Sequence, residues 1–421
     1  MELVNQHVKG IMEECKKRAR DHGLVFDDET LEYVVTSRDM IELSPKVMIP
    51  TLYDYWVHDV KVLSGKGMYE AYPSNPYETV INTRPAISFY NDNNPDWLNV
   101  MIFYHVLGHI DFFQNNLFYK NTWDVDLTGQ ALADKRLIAQ LRSEKGRWLD
   151  YAIEFSRGVD NLVGYYRELN QQIGNDTKSR MTKLDFYFDV FLQKIKNVSH
   201  NTYLKEMTRY NGCRKTGDDF FVLVISKYPE FEELYKKELN AKVRLNLDVM
   251  EYIIKHSPFL KEEENIWIKS VMQVVRNTSL YFQPQIRTKI MNEGWASYWH
   301  EYLFMRDDRI CGHETDYAKI NAGVTAMPKV GLNPYALGMR LFQHLVDMED
   351  RGCYSFDYRF FLKDEVKKEK FDSKKQTGDV YIRNVRENFN DYTFVNTFID
   401  QEFVNKHNLF VAGKRFNSER M

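Results

Sequence analysis

The segment HVLGH, residues 105–109, limits the fold more than any other stretch of this chain. It lies in a run starting at Trp97, where Leu98, Met101, Ile102, His105 and His109 recur near i, i+3, i+4, i+7 and i+11. That period predicts one face of an α-helix. Its neighbours are almost all apolar or aromatic, so the helix belongs inside the protein and its imidazoles must find partners there. Two histidines four apart also have the spacing of the H-E-x-x-H zinc peptidases, yet Val106 stands where those enzymes keep their catalytic Glu. Such a pair is by itself more often structural than metal-binding, so other residues have to decide.

The rest of the chain sets the frame. Residues 1–45 read as one helix and an irregular connector. Short apolar runs, TVIN and AISFY, lie within 68–96 between Pro and Asn residues and predict a small hairpin or two strands. Helical patterning fills 131–200, with a loop at 171–180. Residues 200–247 are mixed and charged, an inserted or peripheral segment. Two helices joined at Ser257-Pro258 are expected in 247–282, one in 285–305, and one starting at Asn333 with Pro334 at its first position. After residue 353 the pattern is mixed, with VYIRNVRENF as a strand and a short helix near FIDQEFVNKHN. The expected class is mainly α (α+β): a large multi-helix domain, a small N-terminal β-hairpin or sheet and a short mixed C-terminal segment. The expected divisions are 1–45, 46–352 and 353–421.

Composition excludes several classes of function. The net charge of −3 does not suit a nucleic-acid binder. No apolar run approaches the roughly 20 residues of a membrane span, and the N-terminus reads as a charged amphipathic helix, not a signal peptide. Cys15, Cys213, Cys311 and Cys353 are widely spaced, which fits a reduced, cytoplasmic protein. Phe and Tyr number 27 each, predicting aromatic packing between helices or a ring-lined pocket.

A second motif, NEGWASYWH, supplies Glu293 and His300 seven residues apart, two turns along one helical face. Facing His105 and His109 from another helix, they would give three or four N/O ligands for zinc, or for iron or manganese if more carboxylates join. Asp150, Glu154 and Asp160 in LDYAIEFSRGVD are further carboxylates. Because Val106 cannot act as a base, Glu154 and His300 are the expected catalytic acid–base residues.

These motifs also carry a resemblance. YFQPQIRTKIMNEGWASYWHEYLF (281–304) strongly resembles the signature of the SpoVR family, stage V sporulation protein R and its relatives. HVLGHIDFFQNN (105–116) resembles that family's H-x-x-G-H block, and YETVINTRPAISF, VDNLV, LNPYALGMRLFQ and FIDQEFVNKHNLF match further blocks in order. The chain departs from the family at Ile110, where relatives often have Asn, and at Asn321, where many have His. The resemblance implies a link to spore cortex formation and stress physiology, and a PrkA-like serine protein kinase and a von Willebrand A-like domain protein as partners. NEGWASYW is also similar to the N-E-G-F-A-x-Y segment of aminopeptidase N-type zinc peptidases, which implies Glu293 as third ligand beside His105 and His109. The expectation is a metal-dependent hydrolase, acting on an amide bond in a peptide or cell-wall-related substrate. His105, His109, Glu293 and His300 would hold the metal, zinc first and iron or manganese otherwise. The competing expectation is a non-enzymatic adaptor of the kinase system, with core histidines or a structural metal.

Overall fold

The helix predicted around HVLGH runs from Asp96 to Asn115, and every residue from Leu98 to Gln114 is buried. A helix that is apolar on all sides is stable only at the centre of a structure, and the helices Gln6–Asp21, Lys289–Phe304 and Gly378–Asn388 pack against this one. The computed structural model describes residues 2–27, 29–37, 39, 78–122, 127–163, 182–216, 219–240, 247–328, 331–354 and 377–409. They fall into two compact units, Met1–Val163 with His256–Met421, and Gly164–Lys255. The boundary expected near residue 45 lies outside the described residues, as does the loop expected at 171–180.

In the first unit, strands β1 (Glu2–Leu3), β2 (Thr30–Val35), β3 (Glu78–Ile81) and β4 (Ala86–Asn91) form one sheet in the order β1-β2-β4-β3. The β3–β4 hairpin is the expected one, antiparallel with Glu78 opposite Tyr90. Strand β2 corrects the irregular connector expected in 1–45. It pairs in parallel with β4, Thr30 opposite Ala86 through Val35 opposite Asn91, so a partner more than fifty residues away orders it.

The labelled helices of this unit are α1 (Gln6–Asp21), α2 (Asp96–Asn115), α3 (Leu127–Lys145), α4 (Arg147–Gly158), α5 (Ile266–Arg287), α6 (Lys289–Phe304), α7 (Glu314–Thr325), α8 (Pro334–Asp350), α9 (Gly378–Asn388) and α10 (Asp391–Phe398). The fold class is thus mainly α, as expected. Helix α6 lies between α2 and α8 and packs against both more extensively than any other helix pair. Glycines permit these close approaches. A Cβ on Gly108 of α2 would lie 2.8 Å from Ala296 Cα of α6, and one on Gly294 would overlap the Gly338 backbone of α8. Asn333 caps α8 through the Tyr335 and Ala336 amides, with Pro334 at the first position as predicted.

VYIRNVRENF is not a strand. It forms α9, because Ile382, Val385 and Arg386 fall on one helical face and are buried together. Arg386 reaches Asp111 of α2 at 3.6 Å, and Asp111 also accepts from Trp295 Nε1 at 2.8 Å. Beyond α10, Gln401–Lys406 is the expected short helix. The described C-terminal segment is therefore helical rather than mixed. Among the described residues no helix is long and apolar enough to cross a membrane.

The second unit has its own aromatic core. A π-helical segment, Phe186–Ile195, and the helices His200–Thr216, Phe220–Lys227 and Phe231–Asn240 bury Phe186, Tyr187, Phe191, Phe220 and Phe231 together. Buried Glu206 accepts from Tyr187 Oη at 2.9 Å and from Lys227 Nζ at 2.7 Å, so its charge is neutralised.

Candidate metal centre

Helices α2 and α6 bring the four predicted ligand residues to one place. His105 Nδ1 lies 2.9 Å from His300 Nδ1, and His109 Nδ1 lies 2.9 Å from Asn292 Oδ1. Glu293 Oε2 is 3.6 Å from His109 Nε2. The earlier histidine of α2 thus meets the later residue of NEGWASYWH, and the later histidine meets the earlier residues, as two antiparallel helices require. The two histidines of α2 face each other, Nε2 to Nε2, at 3.1 Å.

A second carboxylate comes from the sheet. Glu78 of β3 offers an oxygen that lies, with one nitrogen each of His105 and His109, within a 4.8 Å group. The sequence motifs missed Glu78 because it sits in a strand, away from any histidine spacing. The only signal was an acid opening the apolar run ETVI. Glu154 is placed otherwise: it is exposed on α4, a helix packed on α5 and α3, while the cluster is built by α2, α6 and β3. Asn292, Asn321 and Tyr335 complete the surroundings, with the Tyr335 ring stacked 6.1 Å from that of His105.

The hydrogen bonds fix where the protons sit. Asn321 donates its Nδ2 to Glu301 Oε2 at 2.9 Å, and a carboxylate only accepts. Asn321 Oδ1 therefore faces His300 Nε2, 3.0 Å away, and that nitrogen must donate. A neutral imidazole carries one proton, so His300 Nδ1 accepts, and His105 Nδ1 donates to it. This leaves a lone pair on His105 Nε2. His109 Nδ1 lies 2.9 Å from Asn292 Oδ1, and donation there leaves the His109 Nε2 free to act as a ligand beside that of His105. The two Nε2 atoms face each other at 3.1 Å, with a Glu78 oxygen in the same 4.8 Å group, a donor arrangement able to hold a cation. Two nitrogens held at about 2.0–2.1 Å by one tetrahedral zinc lie about 3.3 Å apart, close to the distance observed. Two imidazoles with a carboxylate are a donor set that suits zinc, iron or manganese.

The electrostatics agree with neutral imidazoles at His105 and His300. Burial, with His109 and His300 as neighbours, pushes the His105 pKa well below its ordinary value. Burial lowers His300 to about 4, although its bond to Asn321 opposes the shift. Burial raises Glu78 to about 7, with His109 lowering it and Glu293 raising it. The Tyr335 phenol is pushed up by burial, then by Glu293 and Glu78. The histidines are buried, whereas Glu78 and Glu293 remain partly exposed, so the cluster opens on its carboxylate side.

Comparison with known proteins places these features in a wider group. A family model described as "SpoVR like protein" matches residues 2–420. Over 327 residues the chain is 24% identical to "Uncharacterized protein YcgB" of Escherichia coli (strain K12), covering 74% of this chain and 58% of that protein. The chain thus spans less than two thirds of that relative's length. No solved structure matches. The likeness of NEGWASYW to aminopeptidase N-type peptidases gains no support from these matches.

Proposed function

This chain belongs to the SpoVR family, and from that premise we propose that its buried His–Glu cluster is the metal centre of a hydrolase. The observation that carries this reading is the pair of Nε2 nitrogens of His105 and His109, held 3.1 Å apart beside Glu78 and Glu293. His105, His109 and Glu293 hold the metal, zinc first and iron or manganese otherwise. His300 orients His105 from behind rather than binding, since its Nδ1 meets the Nδ1 side of that ring. When bound, the metal supplies Lewis acidity toward a carbonyl substrate.

The chain's own residues supply the rest. Glu78 stands in for the Glu that Val106 replaces and accepts a proton on the open side of the cluster. Tyr335 covers the His105 ring. The substrate class is an amide bond in a peptide or cell-wall-related molecule, which fits the sporulation link that the family name suggests. Metal analysis of the natively purified protein tests the core of the proposal. About one divalent ion per chain is expected, and His105→Ala or Glu293→Ala should release it. A metal-free native protein that also fails to take up Zn²⁺, Fe²⁺ or Mn²⁺ would reject the centre. The histidines would then be structural, and the adaptor reading, with a PrkA-like kinase or a von Willebrand A-like protein as partner, would take its place.

A further inference from the structure

The two helices that carry the proposed metal ligands are each held, close to those ligands, by a charged residue from one C-terminal corner. Helix α9 ends at Asn388 and α10 begins at Asp391. Arg386, in the last turn of α9, lies 3.6 Å from the Asp111 carboxylate of α2 and over the Trp295 ring of α6, 5.4 Å from its centre. Asp391 accepts from the Ile290 amide at 2.8 Å and from the Met291 amide at 2.9 Å, both in the first turn of α6. Asp111 is two residues past His109, Trp295 is two past Glu293, and Met291 is two before it. The corner is also tied to the end of α2, where Asn116 Nδ2 donates to the Arg386 carbonyl at 2.6 Å and to the Phe389 carbonyl at 3.0 Å.

The start of α6 needs this outside partner. The opening amides of a helix have no acceptor within it, and the side chain at the N-cap ordinarily supplies one. Thr288 holds that position in α6 but makes no cap, because its Oγ1 donates back to the Pro284 carbonyl at 2.7 Å. Asp391 caps the helix in its place, from 100 residues further along the chain. Burial raises its carboxyl only to about 6, so at neutral pH it is an ionised acceptor and its bonds are of the stronger kind. The turn it holds leads directly into Asn292, which faces His109 Nδ1, and Glu293, which lies 3.6 Å from His109 Nε2. Fraying of that turn would draw both side chains away from α2 while leaving every ligand residue in the sequence.

We propose that the α9–α10 corner is a clamp on the metal centre, with Asp391 and Arg386 as positioning residues that keep α6 and α2 at the spacing the ligands need. The proposal rests on the metal reading above and adds to it: affinity for the ion is set in part by C-terminal helices that supply none of the proposed ligands.

Asp391 is the residue to change, because removing Arg386 would strand the buried Asp111 charge. Zn²⁺ titration of the full chain at neutral pH, with visible spectra of the Co²⁺-loaded protein, tests the clamp. Asp391→Ala should weaken zinc about 10- to 100-fold, the usual effect of losing a group that orients ligands, and should shift the Co²⁺ bands. Asp391→Asn keeps one acceptor oxygen and should recover part of the affinity. Asp400→Ala is the control for stability alone. It removes the cap of the helix Gln401–Lys406, where Asp400 accepts from the Phe403 amide at 2.8 Å, and should leave zinc affinity and the Co²⁺ bands as in the parent. If Asp391→Ala does not fold, Asp391→Asn carries the comparison and should still bind zinc more weakly than Asp400→Ala. A parent that binds zinc together with Asp391 variants that bind it equally well would overturn the clamp and leave the metal centre standing. An equal loss in Asp400→Ala would overturn it too, since affinity would then follow stability. A parent that takes up neither Zn²⁺ nor Co²⁺ would overturn the metal centre and the clamp together.

Discussion

Two residues show how single groups set the properties of the first unit. Asn321 fixes the protons of the proposed centre, because its amide points Nδ2 at Glu301 and Oδ1 at His300. Replacing Asn321 with Leu frees His300 to turn over its tautomer, and His105 no longer presents its Nε2 lone pair by necessity. Loss of such an outer partner ordinarily weakens metal binding about 10- to 100-fold. Zn²⁺ titration of Asn321→Leu should show that loss, while an unchanged affinity would mean that His105 is oriented by other contacts. Asp307 acts on stability instead. Burial alone would raise its carboxyl, but Arg309, Tyr104 and the Arg309 amide hold it down to about 2. Tyr104 Oη and Arg309 Nη2 both lie 2.6 Å from Asp307 Oδ2, which ties the buried helix α2 to the turn after α6. A carboxyl held below its ordinary 3.8 contributes stability that is complete above about pH 4 and is lost as pH falls toward 2. The acid limb of an unfolding-versus-pH curve should therefore be shallower in Asp307→Asn, which should also be less stable at neutral pH.

At the scale of elements, the sandwich α2–α6–α8 depends on backbones touching. A methyl group at Gly294 has nowhere to go, since it would meet the Gly338 backbone rather than a movable side chain. Gly294→Ala gains helix propensity of about 1 kcal/mol but overpacks the crossing, typically at a cost of about 1–3 kcal/mol. Net destabilisation is expected in urea unfolding. Gly10 of α1 is the control, because nothing lies within 4 Å of a Cβ there. Gly10→Ala should stabilise by about 0.5–1 kcal/mol. These helices were legible in the sequence because period and caps are local signals: His105 and His109 at i+4, Glu293 and His300 at i+7, Asn333-Pro334 at a helix start. What was not legible depends on distant partners. β2 exists through its register with β4. Glu78 reaches the cluster only because β3 pairs with β4. In VYIRNV, Val380 and Ile382 alternate as in a strand, while Ile382, Val385 and Arg386 follow a helical period. The packing of α9 against α8 and the Arg386–Asp111 pair decide for the helix. Glu154 was drawn in by proximity of acids in the sequence, and its exposed place on α4 follows from which face of that helix α5 covers.

Across the whole molecule, the chain leaves and re-enters the first unit on a single helix. Ser279 Oγ of α5 donates to the Asp160 carbonyl at 2.9 Å, just before the second unit begins, and the turns Phe259–Lys261 and Glu263–Asn265 pack on α5 just after it ends. An excursion that starts and finishes against one element can be ordered by its own core, and the second unit has such a core in its cluster of Phe and Tyr rings. Phe231 is fully buried there and touches Phe186, Tyr187, Phe191 and Tyr235. Phe231→Ala should cost the second unit about 3–5 kcal/mol. The proposed metal ligands all lie in the first unit, so their stability should respond to metal and not to this substitution. Calorimetry should then show one transition moved down by Phe231→Ala and another moved up by added Zn²⁺, the second shift equal in variant and parent. A single transition that carries both effects would show instead that the two cores unfold as one cooperative body.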